Sequence, residues 1–373
     1  MMTKITTNQY ILIAVFCILT SKLMTMPTVI FNYAGKDAIF SVILNMVIEL
    51  TLVLVITGLI KKYPTITFFE LLKQKLKKPF AIVLCTIFIA FLLFKGTFLL
   101  QETISFFSLA LYQNMNIWLL IIPSILTILY ISYKGLSAIG RSIDIYWIFV
   151  LLALVIVFVI GVTKVDFSAN LPYLENGIIP VLNGTMHSFF YIGNSLVLLL
   201  FMGKVELKPD IFKYTTLFSV AMAIFVSFNI FIYYNLFANF VPYCTFAISN
   251  LSQFNPFVTE IGHIGWLSIV ESTINLIFMS SIFCYCTRQY LQFTFCINKK
   301  LISATLASGL YFIIMYIFSF DLYKMLEFIK NYAYIYNLFL IPIIILLCII
   351  LHFWAKKRQN TNIYIKGKQN AKI

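Results

Sequence analysis

The chain of 373 residues is 61% hydrophobic and 11% charged, with a mean hydropathy of +0.96. That composition excludes an ordinary soluble domain, and the apolar runs repeatedly reach the roughly 20 residues needed to span hydrocarbon. The formal charge of +14 invites a nucleic-acid reading, but the Lys and Arg residues fall in short loops and near the C-terminus, so the expected partner is the lipid bilayer and no nucleic acid.

The first apolar segment, Tyr10 to Phe31, is interrupted. Its core, CILTSKLMTMPTVIF from Cys17, sets Thr20, Ser21, Lys22 and Thr25 before Pro27. Proline cannot donate to the helical ladder and clashes with the preceding turn. Backbone groups freed in this way are tolerated in hydrocarbon only inside protein or beside a watery cavity. Lys22 lies roughly 18 Å along the segment at 1.5 Å per residue, where a cation costs about 2.5 to 3.5 kcal/mol unless it finds a partner. A helix that ends near Pro27 with Lys22 paired structurally is one reading; a broken helix lining a ligand site is the sharper one. Only Lys4 precedes the segment and no small-residue cleavage pattern follows, so it reads as a retained span.

Nine further spans follow, near Ala38–Ile60, Pro79–Leu111, Ile117–Tyr133, Ile143–Val162, Ile178–Gly203, Ile211–Phe240, Gly262–Gln292, Leu301–Phe320 and Tyr334–Trp354. Between the second and third, KKYPTITFFELLKQKLKKP alternates Phe68, Phe69, Leu71, Leu72 and Leu76 with lysines, the pattern of a basic amphipathic helix on an anionic leaflet. With the N-terminus inside, the cytoplasmic loops carry most of the Lys and Arg, and the outer ones keep Lys36, Lys164, Lys324 and Lys330. Both termini are therefore expected in the cytoplasm. The seven cysteines form no CxxC pair and are expected as buried free thiols.

Spans one to five and six to ten have matching arrangements. An odd-numbered unit, when repeated, enters the membrane the other way up, as in secondary transporters whose sites lie on discontinuous helices at the midplane. The sixth span, LNGTMHSFFYIGNSLVLLL, carries Gly184, His187, Ser188, Gly193 and Asn194, and the third and eighth spans are both long. The expected fold is an all-α polytopic membrane protein: ten transmembrane helices in a 5+5 inverted repeat with broken first and sixth helices. The chain reads as one transmembrane domain over 1–373, with repeats at 10–162 and 178–355 and a basic cytoplasmic tail at 356–373.

The leading candidate site is the pair of breaks near Ser21–Met26 and Tyr191–Asn194. Each break frees N–H groups at one half-helix and C=O groups at the other, which suits the carboxylate and ammonium of a zwitterion. In the third span Lys95, Phe98, Glu102 and Ser105 share a face, as do Ser268, Glu271, Ser272 and Asn275 in the eighth and Asn45 with Glu49 in the second. Intramembrane charges usually pair, so Lys22 or Lys95 with Glu49, Glu102 or Glu271 is as strong a reading as any direct ligand contact. His187 could shuttle protons or hydrogen-bond a neighbouring span; His263 and His352 sit at span ends. Phe190 and Tyr191 could wall a small pocket. No HExxH, GxSxG or P-loop is present, so no enzymatic activity, metal or cofactor is expected.

Several stretches carry a resemblance: ITTNQYILIAVFCILTSKLMTMPTVIFNYAGKDAIFSVILNMVIEL at the start, KKYPTITFFELL, LQETISFF, the YKGLSAIGRSIDI loop, and VDFSANLPYLENGIIPVLNGTMHSFFYIGN. The strongest are P-x-x-x-x-x-x-A-G-x-D-A from Pro27 to Ala38 and L-P-x-L-x-N-G-I-x-P from Leu171 to Pro180. Together they resemble the spore germination B-subunit (GerAB-type) family of the amino acid/polyamine/organocation (APC) transporter superfamily, whose fold is LeuT-like. The resemblance implies a multi-pass protein of the spore inner membrane or cell membrane. It would bind a small germinant, typically an amino acid, beside an A-type membrane subunit and a C-type lipoprotein.

By that analogy the pocket draws on Ser21, Lys22 and Thr25 of the first break, Tyr191, Gly193 and Asn194 of the sixth, Phe98 and Glu102 of the third span, and Glu271 and Asn275 of the eighth. Two departures stand out. Lys22 occupies a break in which the family often has glycine and small polar residues, and Asn194 stands where the family commonly reads Glu. Lys22 could then take the place of a bound cation or favour a ligand of net negative charge. A proton-coupled amino acid permease using Glu102, Glu271 or His187, and a scaffold that no longer binds ligand, are the rival readings.

Overall fold

The apolar runs of the sequence are helices in the computed structural model, which describes residues 4–75, 78–110, 116–163, 165–247, 250–251, 265–333 and 340. The expected tenth span, the basic tail, His263, His352 and Cys348 lie outside the described residues. In chain order the helices are α1 (Thr7–Leu19), α2 (Met26–Ala34), α3 (Ala38–Lys62), α4 (Phe68–Lys75), α5 (Lys78–Ala110), α6 (Trp118–Lys134), α7 (Leu136–Val162), α8 (Ile179–His187), α9 (Ile211–Phe237), α10 (Gly265–Phe295), α11 (Lys300–Ile317) and α12 (Leu322–Phe328). Among the described residues there is no strand, only a single parallel bridge between Ile5 and Val205.

Six of the described helical runs are long and apolar enough to cross a membrane: Met26–Lys62, Pro79–Ser108, Leu136–Val159, Ile211–Tyr243, Ile269–Phe295 and Lys300–Ile317. A seventh is added if α8 and the turns that follow it, bent by 50°, count as one span. α1 and α6 are apolar but have 13 and 17 residues, about 20 and 26 Å at 1.5 Å per residue, short of a ~30 Å hydrocarbon core. α1 ends at the turn that Thr20, Ser21 and Lys22 make, and α2 follows that turn. α7 starts at Leu136, earlier than its hydropathy suggests, and so carries Arg141 and Asp144 on its first turns.

The basic segment after α3 is a helix, but protein covers its apolar side. Phe68, Leu71 and Leu72 are buried, with Phe68 and Phe69 against Phe88, Tyr290 and Phe293. Aromatic partners on α5 and α10 thus take the face that the sequence offered to an anionic leaflet. Of the described cysteines, Cys17, Cys85, Cys284 and Cys286 are buried, while Cys244 is half-buried and Cys296 exposed.

α2, α3 and α8 pack as a unit. Gly184 permits this, since a Cβ there would lie 2.7 Å from Ser41 Oγ and 2.9 Å from the Ala34 Cβ. At the same end the two longest sequence motifs meet: Asp37 Oδ1 accepts the Leu174 N–H at 2.6 Å, and Phe40 meets Tyr173 edge-on. The opposite end is closed by the N-terminus. Ile5 exchanges backbone hydrogen bonds with Lys204 and Glu206, Thr7 donates to the Glu206 carbonyl, and Gln9 donates to Asp144 on α7 at 2.5 Å.

Candidate functional site

Both interruptions expected from the sequence are present, and each has a local cause. After α1 the chain turns at Ser21, with φ of 63°, and restarts at Met26 with Pro27 in the first turn, where its missing N–H costs nothing. After α8 one short 3₁₀ turn (Phe189–Tyr191) precedes Ile192, which is extended, and Gly193, whose φ of 87° suits glycine. A second 3₁₀ stretch, Asn194–Phe201, then carries on.

The two breaks face one another through side chains. Lys22, fully buried, donates to the Tyr191 carbonyl and lies 3.6 Å from Glu49 Oε2. Glu49 accepts the N–H of Gly193 at 2.7 Å and of Ser195 at 2.9 Å. Lys95 donates to the Ile192 carbonyl at 2.6 Å and to Asn194 Oδ1 at 3.0 Å, between the rings of Phe91 and Phe190. Asn194 Nδ2 donates in turn to the carbonyls of Thr20 at 3.1 Å and Cys17 at 3.4 Å, at the end of α1. A Glu at this position could accept from Lys95 but could not donate to those carbonyls.

At the start of α2 the arrangement repeats with another carboxylate. Glu102 Oε1 accepts the Thr25 N–H at 3.2 Å and the Thr25 hydroxyl at 2.6 Å, and the same hydroxyl is 2.9 Å from the Tyr191 hydroxyl. An anion at a helix N-terminus is favoured by the unpaired N–H groups and the helix dipole. Glu102 Oε2 is buried with no partner among the described residues. Phe98 packs edge-on against Phe190 and Tyr191.

Ser21, Glu271 and Asn275 gather elsewhere, around a void of about 10 Å³, room for a single water. Asn275 accepts from the Thr20 hydroxyl at 3.1 Å, and Glu271 accepts from Ser272 at 3.0 Å. A larger cavity of about 420 Å³ is lined by Thr25, Thr28, Asn32, Tyr323, Glu327 and Lys330 among others, at the end away from the N-terminus. His187 stacks on Tyr33, ring centroids 3.7 Å apart, and so belongs to the contact of α8 with α2 rather than to the charged cluster.

The structure thus brings Lys22, Thr25, Phe98, Glu102, Tyr191, Gly193 and Asn194 together, and puts Ser21, Glu271 and Asn275 around a neighbouring void. The pairing of Lys22 is with Glu49, whereas Lys95 meets a carbonyl and an amide. Glu49 and Lys95 were flagged in the sequence only as pairing residues, yet they are the inner members of the cluster. The signal for Glu49 was its register: Ser41, Asn45 and Glu49 recur every four residues along α3 and meet Val181, Ser188 and Gly193 in turn.

The profile of a family described as "Spore germination protein" matches residues 4–320. The Spore germination protein YndE of Bacillus subtilis (strain 168) is 30% identical over 211 residues, 54% of this chain and 56% of that protein, so the match spans about half the length of each. Among solved structures, a single-substitution mutant of the Eremococcus coleocola manganese transporter superposes with a TM-score of 0.58 at 12% identity, covering 89% of this chain and 75% of that one. The same transporter in complex with an aromatic bis-isothiourea substituted compound gives 0.54 at 12% identity over the same shares. These likenesses show the fold, and the profile match over most of the chain shows the family: this multi-pass membrane protein belongs to the spore germination protein family.

Proposed function

We propose that this chain is the membrane subunit of a nutrient germinant receptor, built as ten transmembrane helices in a 5+5 inverted repeat with both termini in the cytoplasm of the spore. It binds a small germinant of amino-acid size and passes the change to an A-type membrane subunit and a C-type lipoprotein. The observation that carries this reading is the meeting of two interrupted helices at a buried charged cluster, with a 420 Å³ cavity reaching Thr25. Ser21, Lys22, Thr25, Phe98, Glu102, Tyr191, Gly193, Asn194, Glu271 and Asn275 are the proposed ligand-responsive residues.

Ligand binding shifts an equilibrium only by its differential affinity for two arrangements. Here the breaks are tied to each other by side-chain to backbone hydrogen bonds, which can be exchanged without unfolding a helix. The end bearing the N-terminus is clasped by Ile5, Thr7 and Gln9, while the cavity lies at the other end. That asymmetry supports one of two arrangements, with the second reached by releasing the clasp. Manganese, the cargo of the structural relatives, is not carried over, because a likeness at 12% identity shows the fold alone.

A proton-coupled permease is the second reading, favoured by the unpartnered oxygen of Glu102 and by Glu271 beside a water-sized void. Germination of spores lacking the chain, scored over a panel of amino acids and other nutrients while uptake is followed in vegetative cells, separates the two. Loss of response to particular nutrients with uptake intact is expected for the receptor. Impaired uptake with normal germination establishes the permease instead.

A further inference from the structure

The sequence suggested that the two breaks hold a zwitterion, carboxylate on the N–H groups and ammonium on the carbonyls. In the folded protein both halves of that arrangement are already formed by the chain itself. The N–H groups of Gly193 and Ser195 donate to Glu49, and that of Thr25 donates to Glu102. The carbonyls of Tyr191 and Ile192 accept from Lys22 and Lys95. A ligand carboxylate has to displace a buried carboxylate from its helix end, and neither lysine lines either cavity.

What is left open at the site is acceptor, not donor. Among the described residues no cation lies within ion-pair distance of Glu102 or Glu271, although both are buried. Glu102 Oε2 has no partner among the described residues, and Thr25, which bonds the other oxygen, lines the 420 Å³ cavity. The carboxylate therefore lies one side chain from a space large enough for a small ligand. A buried carboxylate with one oxygen unpaired and no counter-charge is costly, and an incoming ammonium supplies both the charge and the donor it lacks. The charged residues of the cavity itself, Glu327 and Lys330, are one of each sign, and Lys330 is drawn over the Tyr33 ring. They give no net preference for an anion.

We infer that this site recognises the ammonium end of its ligand, at Glu102 beside Thr25, and does not require a ligand carboxylate. The ligand class is a small primary amine or an amino acid read only through its amine. The inference rests on the reading of the chain as a small-molecule binder.

The test uses the full chain in lipid nanodiscs and follows thermal stabilisation by the twenty amino acids, their methyl esters, the corresponding decarboxylated amines and the N-acetyl derivatives. Esters and amines are expected to stabilise as well as the parent compound, and N-acetyl derivatives not at all. Stabilisation by intact amino acids alone, or by N-acetyl derivatives, overturns the inference and leaves the receptor reading standing. No stabilisation by any compound overturns both. Glu102→Gln keeps an oxygen for Thr25 but loses the charge, and is expected to weaken amine binding about tenfold to a hundredfold. Unchanged affinity in a folded Glu102→Gln protein also overturns the inference.

Discussion

The two helix breaks use one device to different ends. In each, a carboxylate from another helix meets the N–H groups at the start of a half-helix: Glu49 at Gly193 and Ser195, Glu102 at Thr25. Around the second break the device is closed, because Glu49 also faces Lys22, and the adjoining carbonyls accept from Lys22 and Lys95. At the first it is open, because Glu102 has an oxygen to spare beside a cavity-lining threonine. Burial is equal and backbone chemistry is alike, so the number of partners sets the difference. The second break is a lock, and the first is the side to which the proposal above assigns the response to a ligand.

The largest effect expected from this comparison is that of Glu49→Ala. It strands Lys22 in the interior and frees two N–H groups, and breaking a buried pair from one side costs about 3 to 5 kcal/mol. Glu102→Ala removes hydrogen bonds to a single residue and is expected to cost about 1 to 3 kcal/mol. Melting of the two variants in the same detergent decides the matter: equal losses would mean that the breaks are not different in kind. A sharper version pairs Lys22→Met with Glu49→Gln. The double variant is expected to be more stable than the sum of the single losses by about 0.5 to 3 kcal/mol, the range for residues in direct contact.

Gly193→Ala comes next. The left-handed conformation at φ of 87° costs a residue with a Cβ about 1 to 2 kcal/mol. The expected outcome is a lower melting temperature with the amine preference at Glu102 unchanged, because Gly193 contributes its backbone N–H to Glu49, which alanine retains. A change in ligand preference at equal stability would join the two breaks into one recognition site.

Much of this organisation is legible in the chain. Thr20, Ser21, Lys22 and Pro27 announce a turn in the first apolar run, because no membrane helix accommodates them all in sequence without leaving backbone groups unpaired. Gly193 between Ile192 and Asn194 announces the second. What cannot be read is which charge meets which. Lys22 and Glu49 are far apart in sequence and meet only in the fold, and the same composition would allow Lys95 to take Glu49. Asn194 looked like the loss of a family carboxylate, and only its position between α1 and Lys95 explains an amide that donates on one side and accepts on the other. The basic helix α4 misled for a simpler reason: an apolar face shows that something covers it, and α5 and α10 do so here as readily as lipid.

α4 supplies the smallest prediction and a control in water for the comparison above. Here again a carboxylate sits at a helix start, since Glu70 Oε2 accepts the Thr67 N–H at 2.8 Å while the Glu70 N–H donates to Thr67 Oγ1 at 3.3 Å, the reciprocal pattern of a capping box. The Thr67 N–H and hydroxyl hold the Glu70 carboxyl below its ordinary value of 4.5. A carboxyl whose folded value is depressed adds stability above its unfolded value and loses it as pH falls through the folded one, so the contribution is complete near pH 7 and fades below about pH 4.5. Because Glu70 is exposed, Glu70→Ala is expected to loosen α4 by only about 0.5 to 1 kcal/mol. Hydrogen exchange of the α4 amides, compared between Glu70→Ala and the unaltered chain at pH 7 and pH 4, reads this locally: a two- to fivefold loss of protection at pH 7 that shrinks at pH 4. If the loss instead approached that of Glu49→Ala, burial would not be what separates the locked break from an ordinary helix cap.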